Sequence, residues 1–341
     1  MRVWDRNNVV REKTTSVANN GRNNPAVPPP SAVAAIDIGT NSVLMLVVRL
    51  VDHRAVIVEL DRASNTRLGE GVAQRRGFAT EAVERTLIVL KEDADIAKRL
   101  GAKIAAVGTH VLRTVKDSRS FLGAARQILG VSVEVIDGQR EAELTFRGGV
   151  LGLRLPTEEF TLVDVGGGST EIVRGQGNKI LEAKSLNVGA VRLLEQFNLS
   201  SPVDPRTLAQ AEREVERVLA QSPVVPLKPL AAIGGTATTL AAIAGGVVPY
   251  DAARIHGARI TISELSRLYG CLARMSLAER YHVPGLERAR ADIIVTGALI
   301  LSVIAKRAKA DEVIVSNGGV RFGLAQEMYG EIPIDYQSLY V

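Results

Sequence analysis

The sequence predicts an α/β protein made of two related domains that face each other across a cleft, and three observations carry that expectation. The chain has 341 residues, more than one hydrophobic core usually spans. Strand-like apolar runs alternate with amphipathic helical runs along most of it, the signature of an α/β layer structure. A glycine-rich hairpin occurs twice: AAIDIGTNSVLMLVV at 34–48 superposes on TLVDVGGGSTEIV at 161–173 with a constant offset of 127 residues.

The duplication is the most informative of the three. Asp37 meets Asp164, Gly39 meets Gly166, Thr40 and Asn41 meet Gly167 and Gly168, and Ser42 meets Ser169. Each copy is an apolar strand, a D-x-G turn and a returning apolar strand. Glycine weakens a strand because it loses the most backbone entropy and offers the core nothing, so three in a row at 166–168 need a reason. Residues without Cβ let successive N–H groups converge on one anion. The plainer alternative is a tight hairpin, for which one or two glycines suffice. Two such polar tips suggest two domains that present them to one cleft.

The remaining elements follow in order. HRAVIVELDRASNTRLGEG at 53–71 continues the strand pattern, and TEAVERTLIVLKEDADIAKRLGA at 80–102 reads as a helix with Thr80 as N-cap and Gly101 near its end. KIAAVGTHVLR at 103–113 reads as a strand, SRSFLGAARQILG at 118–130 as a helix and VSVEVID at 131–137 as a strand. A helix opens GQREAELTFRGGVLGL at 138–153, which leads into the second hairpin. Beyond it, AQAEREVERVLA, ISELSRLYGCLARM and RARADIIVTGALILSVIAKRAKA read as helices. PLAAIGGTATTLAAIAGG at 229–246 and DEVIVSNGGVRFGLAQEMYG at 311–330 each read as strand, Gly-Gly turn and helix. The expected organisation is a disordered basic tail at 1–30, a first domain from 31–139 plus 324–341, and a second from 140–323.

Composition excludes several classes. With 46% hydrophobic and 23% charged residues the chain is ordinary for a globular protein, and no apolar run nears the roughly 20 residues of a membrane helix. The first 30 residues lack the apolar segment of a secretory signal. That tail carries +3 of the net charge of +5, leaving too little on the globular part to mark a binder of duplex nucleic acid. A lone cysteine, Cys271, excludes an internal disulfide and a thiolate metal cluster, and fits a cytoplasmic setting. His53, His110, His256 and His282 show no ligand spacing and are assigned no chemistry.

Strand-glycine-helix junctions also collect anions, through free N–H groups and the helix dipole. IGGTAT, with Gly235 and Thr236, and SNGGVR are therefore further candidate contacts for a phosphorylated ligand, although such turns also serve as mere connections. Hydrolysis of a phosphoanhydride needs charge neutralisation, a positioned water and a proton acceptor. Asp37 and Asp164 stand at the mouths of the two turns, with Glu171 in the returning strand. Oxygen ligands of this kind suit Mg²⁺; the alternatives are Asx-turn capping for the two aspartates and a solvated strand position for Glu171.

The two hairpins resemble those of the actin-like ATPase superfamily, whose domains have a ribonuclease H-like fold. Between them, GTHVLR at 108–113 and IDGQREAELTF at 136–146 resemble the exopolyphosphatase/guanosine pentaphosphate phosphohydrolase family, as do GGTATTLAAI, IHG at 255–257, RADIIVTGALIL and SNGGVRFGL. The match runs from about 33 to 330. The resemblance implies that Glu141 is the base activating water and that Arg113 binds a substrate phosphate. It implies that Asp164 and Glu171 help hold Mg²⁺, for which the turn pattern also offers Asp37. It implies that Thr40, Asn41, Ser42, Gly166, Gly167, Gly168 and Ser169 form the phosphate loops. The implied substrates are polyphosphate, guanosine pentaphosphate or both, with no membrane partner and with monomer or homodimer left open.

The sequence departs from the family pattern at Arg140, where the family has the first glutamate of a pair, at Asp137 in place of serine, and at Thr114. An arginine beside the base is expected to depress its pKa or to recruit another phosphate. Longer members carry a C-terminal HD-like helical domain, so reduced processivity is expected of a chain that stops at Val341. Two rival readings stay open: an ATP-dependent small-molecule kinase of the same superfamily, and a nucleotide-switched interaction protein.

Overall fold

The structure, a computed structural model, describes residues 30–51, 55–75, 77–116, 118–155, 158–199, 202–330, 332 and 334. The tail expected to be disordered lies outside the described residues except for Pro30, and so do 335–341.

The first lobe opens with strands β1 (Ala32–Ile38), β2 (Val43–Val51) and β3 (Ala55–Ser64), followed by helices α1 (Val72–Arg75) and α2 (Thr80–Arg99). Strand β4 (Lys103–Gly108), helices α3 (His110–Thr114) and α4 (Arg119–Leu129) and strand β5 (Glu134–Val135) complete it. Helix α5 (Gly138–Gly149) crosses to the second lobe, where β6 (Glu159–Val165), β7 (Thr170–Gln176) and β8 (Lys179–Leu186) repeat the antiparallel meander. Helices α6 (Ala190–Phe197) and α7 (Pro205–Ala220), strand β9 (Leu230–Ile233) and helices α8 (Gly234–Gly245) and α9 (Ala252–Ile255) come next. The chain ends with β10 (Arg259–Thr261), α10 (Ile262–Arg274), α11 (Leu277–Arg280), α12 (Ile294–Arg307), β11 (Glu312–Val315) and α13 (Val320–Tyr329).

The first sheet has the order β3-β2-β1-β4-β5, and the second repeats it as β8-β7-β6-β9-β11 with β10 added at the edge. In both, an antiparallel meander is joined to parallel strands at its first member, the arrangement of the actin-like, ribonuclease H-like fold. Strand β1, AVAAIDI, is buried along its whole length, as a central strand covered on both faces must be. One face packs on α2 and α4 through Ile36, Met45, Leu90 and Phe121; the other packs on α13 through Val33, Leu46, Phe322 and Tyr329. The second sheet is covered by α7, α8, α10 and α12 on one side and by α5, through Ala142 and Phe146, on the other.

Helices α5 and α13 therefore lie between the sheets, and their backbones touch. A Cβ on Gly148 would collide with the Gly319 carbonyl, and one on Gly323 would collide with that of Leu144. The boundaries expected at 139/140 and 323/324 fall inside these two helices.

Local readings changed in several places, among them the helix read from 288, which starts only at Ile294. Helix α2 starts at Thr80, so Ala79 is its N-cap and no side chain caps it. The run 103–113 is a strand only to Gly108; HVLRT folds as α3, its Val111 and Leu112 buried in the first lobe's core. The strand at 131–137 shrinks to Glu134–Val135.

Candidate active site

Both hairpin tips end at the same cavity. In the ladders, Asp37 sits opposite Leu44 and Asp164 opposite Glu171, so each tip places an aspartate one residue before its strand ends. The first tip is held by Gly39 N–H donating to the Ser42 carbonyl (2.9 Å) and by a brace from the same lobe. In that brace Arg67 N–H donates to Asn41 O (2.9 Å), Gly69 N–H to Thr40 O (2.8 Å), and Asn41 Nδ2 and Ser42 Oγ to Asn65 Oδ1 at 3.0 and 2.9 Å.

The second tip is held by α6. The Gly166 and Gly167 carbonyls accept from the first amides of that helix, Ala190 (2.8 Å), Val191 (2.9 Å) and Arg192 (3.0 Å). The carbonyls are thus consumed on one side of the loop. Among the described residues the N–H groups of Gly167 and Gly168, like those of Thr40 and Asn41, donate to no protein acceptor.

The tips oppose each other at contact distance, which explains the run of glycines. A Cβ on Gly167 would lie 3.1 Å from Thr40 Cβ, and one on Gly168 would lie 2.9 Å from Thr40 Oγ1 and collide with the His110 ring. Glycine is required there for close approach across the lobes.

The cavity has a volume of about 490 Å³ and is lined by every residue singled out from sequence except Arg113: Asp37, Thr40, Asn41, Ser42 and Glu141 on one side, Asp164, Gly166, Gly167, Gly168, Ser169, Glu171, Gly235 and Thr236 on the other. Arg113 stands behind Glu141. Its Nη1 donates to Glu141 Oε2 at 2.6 Å and to the Ile136 carbonyl at 2.7 Å. Asp137 caps α5 by accepting from Arg140 N–H (2.8 Å), which puts Glu141 in the first turn with its carboxylate at the cavity.

Arg140 does not flank that carboxylate as expected. Its guanidinium turns outward and grips Glu327 of α13, which also accepts from Arg147 at 2.9 Å. The α5 geometry explains this: consecutive residues point about 100° apart.

Of the six acidic residues that line the cavity, Asp37, Glu141, Asp164 and Glu171 have carboxyls of raised proton affinity. Burial, then the charges of Glu141 and Asp164, push the Asp37 carboxyl up to about 8, with Arg321 opposing. Burial, then Glu141, raises Asp164 to about 7, against Arg321 and Arg290. Glu171 is raised well above the carboxylate range by burial and by Glu141 and Asp164, although Ser185 donates to it at 2.7 Å. Burial also raises Glu141, and Arg113 pulls it back. Asp37 Oδ1 is buried without a hydrogen-bond partner among the described residues. A cation bound to Asp37 and Asp164 would satisfy that oxygen and relieve the repulsion, so the donor set fits Mg²⁺. Among the described residues no three His, Cys, Asp or Glu side chains are grouped so as to hold a metal ion.

Sequence reasoning missed several wall residues. Arg290 lies over Gly235, where a Cβ would strike its guanidinium; it sits inside the family-like stretch RADIIVTGALIL. Asp61 of β3 binds Arg321 at 2.8 and 2.9 Å and accepts from Asn317 at 3.0 Å, tying β3 to the SNGGVR turn. His110, dismissed for lack of ligand spacing, lines the cavity. At the rim, Arg67 pairs with Asp292 at 2.8 Å, and Gly71 N–H donates to Glu195 at 2.8 Å. Both contacts bridge the lobes.

A two-lobed α/β cleft with glycine tips, buried carboxylates and interior arginines defines a phosphohydrolase-type site, and comparison with known proteins gives it a family. The model of the Ppx/GppA phosphatase family matches residues 46–331, and the chain belongs to that family. Exopolyphosphatase 2 of Mycobacterium tuberculosis is 34% identical over 315 residues, covering 87% of this chain and 98% of the relative. The guanosine-5'-triphosphate,3'-diphosphate pyrophosphatase of Vibrio vulnificus is 31% identical over 89% of this chain and 60% of its own length. The crystal structure of an exopolyphosphatase from Cytophaga hutchinsonii superposes with a TM-score of 0.80 at 27% identity, over 88% of this chain and 98% of that one. Among the described residues no helix is long and apolar enough to cross a membrane.

Proposed function

We propose that the protein is a Mg²⁺-dependent phosphohydrolase that releases the terminal phosphate of inorganic polyphosphate, guanosine pentaphosphate or both, with Glu141 as general base. The observation that carries this reading is the position of Glu141: a buried carboxylate tethered by Arg113, aimed into a cavity whose other walls are the two glycine tips. The names of the relatives supply the two substrates.

The free amides of Thr40, Asn41, Gly167 and Gly168, with the Thr40 hydroxyl, bind the non-bridging oxygens of the chain end, and Ser42, Ser169 and Thr236 shape the cavity around them. Water on the Glu141 side attacks the terminal phosphorus in line. Its oxygen forms the new P–O bond as the bridging P–O bond breaks, and Glu141 takes the proton. Arg113 fixes the carboxylate's orientation and favours its charged form, while burial raises its proton affinity. Mg²⁺ held by Asp37 and Asp164, with Glu171 behind them, would neutralise charge developing on the phosphoryl oxygens. Arg290 and Arg321 add fixed positive charge along the wall.

The test is free-phosphate release from polyphosphate, guanosine pentaphosphate and ATP, each supplied separately with Mg²⁺. Release from at least one of the first two is expected, and Glu141→Gln should lower kcat by about 10²–10⁴-fold. Transfer from ATP to a small acceptor with no release from either polymer or pentaphosphate would replace this reading with that of a kinase.

A further inference from the structure

His110 is a buried polar side chain of the cavity that the mechanism above leaves unused. It is the first residue of α3, directly behind the first tip, where Thr109 N–H donates to the Ile38 carbonyl at 3.1 Å. The residue is 8% exposed and lines the cavity. Its ring edge occupies the hollow that Gly168 leaves by having no side chain, so a residue of the first lobe is seated on the backbone of the second lobe's loop.

We propose that His110 is a substrate-contacting residue: keyed into the hollow beside Gly168, its imidazole donates an N–H hydrogen bond to a non-bridging oxygen of the phosphoryl group held between the two tips. This rests on the phosphohydrolase reading and adds a contact to it.

Three observations support the contact. Among the described residues no protein group hydrogen-bonds either ring nitrogen of His110, and neither nitrogen is a buried, unpartnered atom, so both are open to a ligand in the cavity. The ring lies within the space where the amides of Gly167 and Gly168 are also left for a ligand. Burial and the nearby charges of Arg113 and Arg192 hold the imidazole at about 4, so above pH 5 it is a neutral ring with one N–H donor. Such a donor offers a hydrogen bond without adding a titrating charge near Glu141. Because the ring bridges the lobes, it reaches a phosphoryl oxygen only when the tips are together, so the bond forms in the closed complex.

Two substitutions separate donor from spacer. His110→Phe keeps a ring in the hollow and removes the N–H; His110→Gln keeps an N–H of similar reach. With inorganic tripolyphosphate as probe, H110F should lower kcat/KM by about 10- to 150-fold, the range for a hydrogen bond to a charged acceptor, and H110Q should stay within a few-fold of the wild type. Direct binding of tripolyphosphate by calorimetry should weaken in H110F and persist in H110Q, and thermal melting should be unchanged in both. An H110F protein with undiminished kcat/KM and affinity would reduce His110 to a filler and overturn the inference alone. A wild-type protein releasing no phosphate from polyphosphate or guanosine pentaphosphate would overturn the function, and this contact with it. Should H110F fail to fold, a well-folded H110Q as impaired as H110A would equally count against the donor role.

Discussion

At the tip of the β1–β2 hairpin the turn is filled by Thr40, Asn41 and Ser42, whereas the β6–β7 tip offers Gly166, Gly167 and Gly168 and carries its polarity in the strands behind. The two are copies in register, yet Leu44 stands where the second copy has Glu171. The first tip presents side-chain donors braced by Asn65, Arg67 and Gly69; the second presents bare amides and, directly behind them, a pair of facing carboxylates. Like charges directly opposite in a ladder are destabilising, so the Asp164–Glu171 pair is tolerable only with compensation. The two copies share one frame, and on the proposed function the first half serves grip and the second cation and charge.

The sharpest way to break this comparison is to place the same methyl group on each tip. Gly168→Ala puts a Cβ against His110 and Thr40 and forces the lobes apart; kcat/KM should fall by about 10²-fold, the scale of a 1 Å misplacement, with little change in melting temperature. Gly39→Ala meets chiefly its own loop, the Ser42 carbonyl at 3.1 Å, and should cost far less activity. Equal losses, measured by phosphate release, would deny that the second tip's glycines serve the contact between lobes.

A second experiment concerns the acidic half. Asp37 titrates near 8 in the fold against an ordinary value of 3.8, and Asp164 near 7. The folded state thus holds these protons more tightly than the unfolded chain. Their contribution to stability is fully present below about 4 and is lost as pH rises through 7 to 8. Melting temperature in EDTA should fall over that window, Asp37→Asn should flatten the fall, and Mg²⁺ should restore the wild type but not the variant. The variant should be more stable at pH 8 and nearly inactive, the exchange expected where function keeps charge buried.

The smallest effect is expected at Arg140→Ala. Its guanidinium binds Glu327 in a half-exposed cluster, so the loss should be about 0–1 kcal/mol by denaturant titration, with kcat unchanged. A drop in kcat would put Arg140 back beside the base.

Both tips could be read from the sequence because their chemistry is local: aspartate, glycine and hydroxyl residues act within six positions of one another. The order of strands and helices was equally legible from periodicity. Arg290, Asp61 and His110 were not: the first and last lie inside the stretches RADIIVTGALIL and GTHVLR, but no local spacing marks which side chain of such a stretch meets the cavity, and Asp61 reaches it from the end of a strand. The resemblance implies a phosphate contact for Arg113; in the fold its Nη1 donates to Glu141 and to the Ile136 carbonyl. Helix α3 was read as strand because Val111 and Leu112 continue an apolar run that the tertiary core, and not periodicity, folds into a turn of helix.

The crossing of α5 and α13 at Gly148 and Gly323 has a mechanical corollary. Glu141 stands two turns along α5 from that pivot, a lever arm of about 10 Å at 1.5 Å per residue. A swing of roughly 6° between the sheets therefore carries the carboxylate through about 1 Å, a shift of the size that separates productive from idle geometry. On the proposed function, seating of the anhydride and aim of the proton acceptor would in this way be geared to one fulcrum.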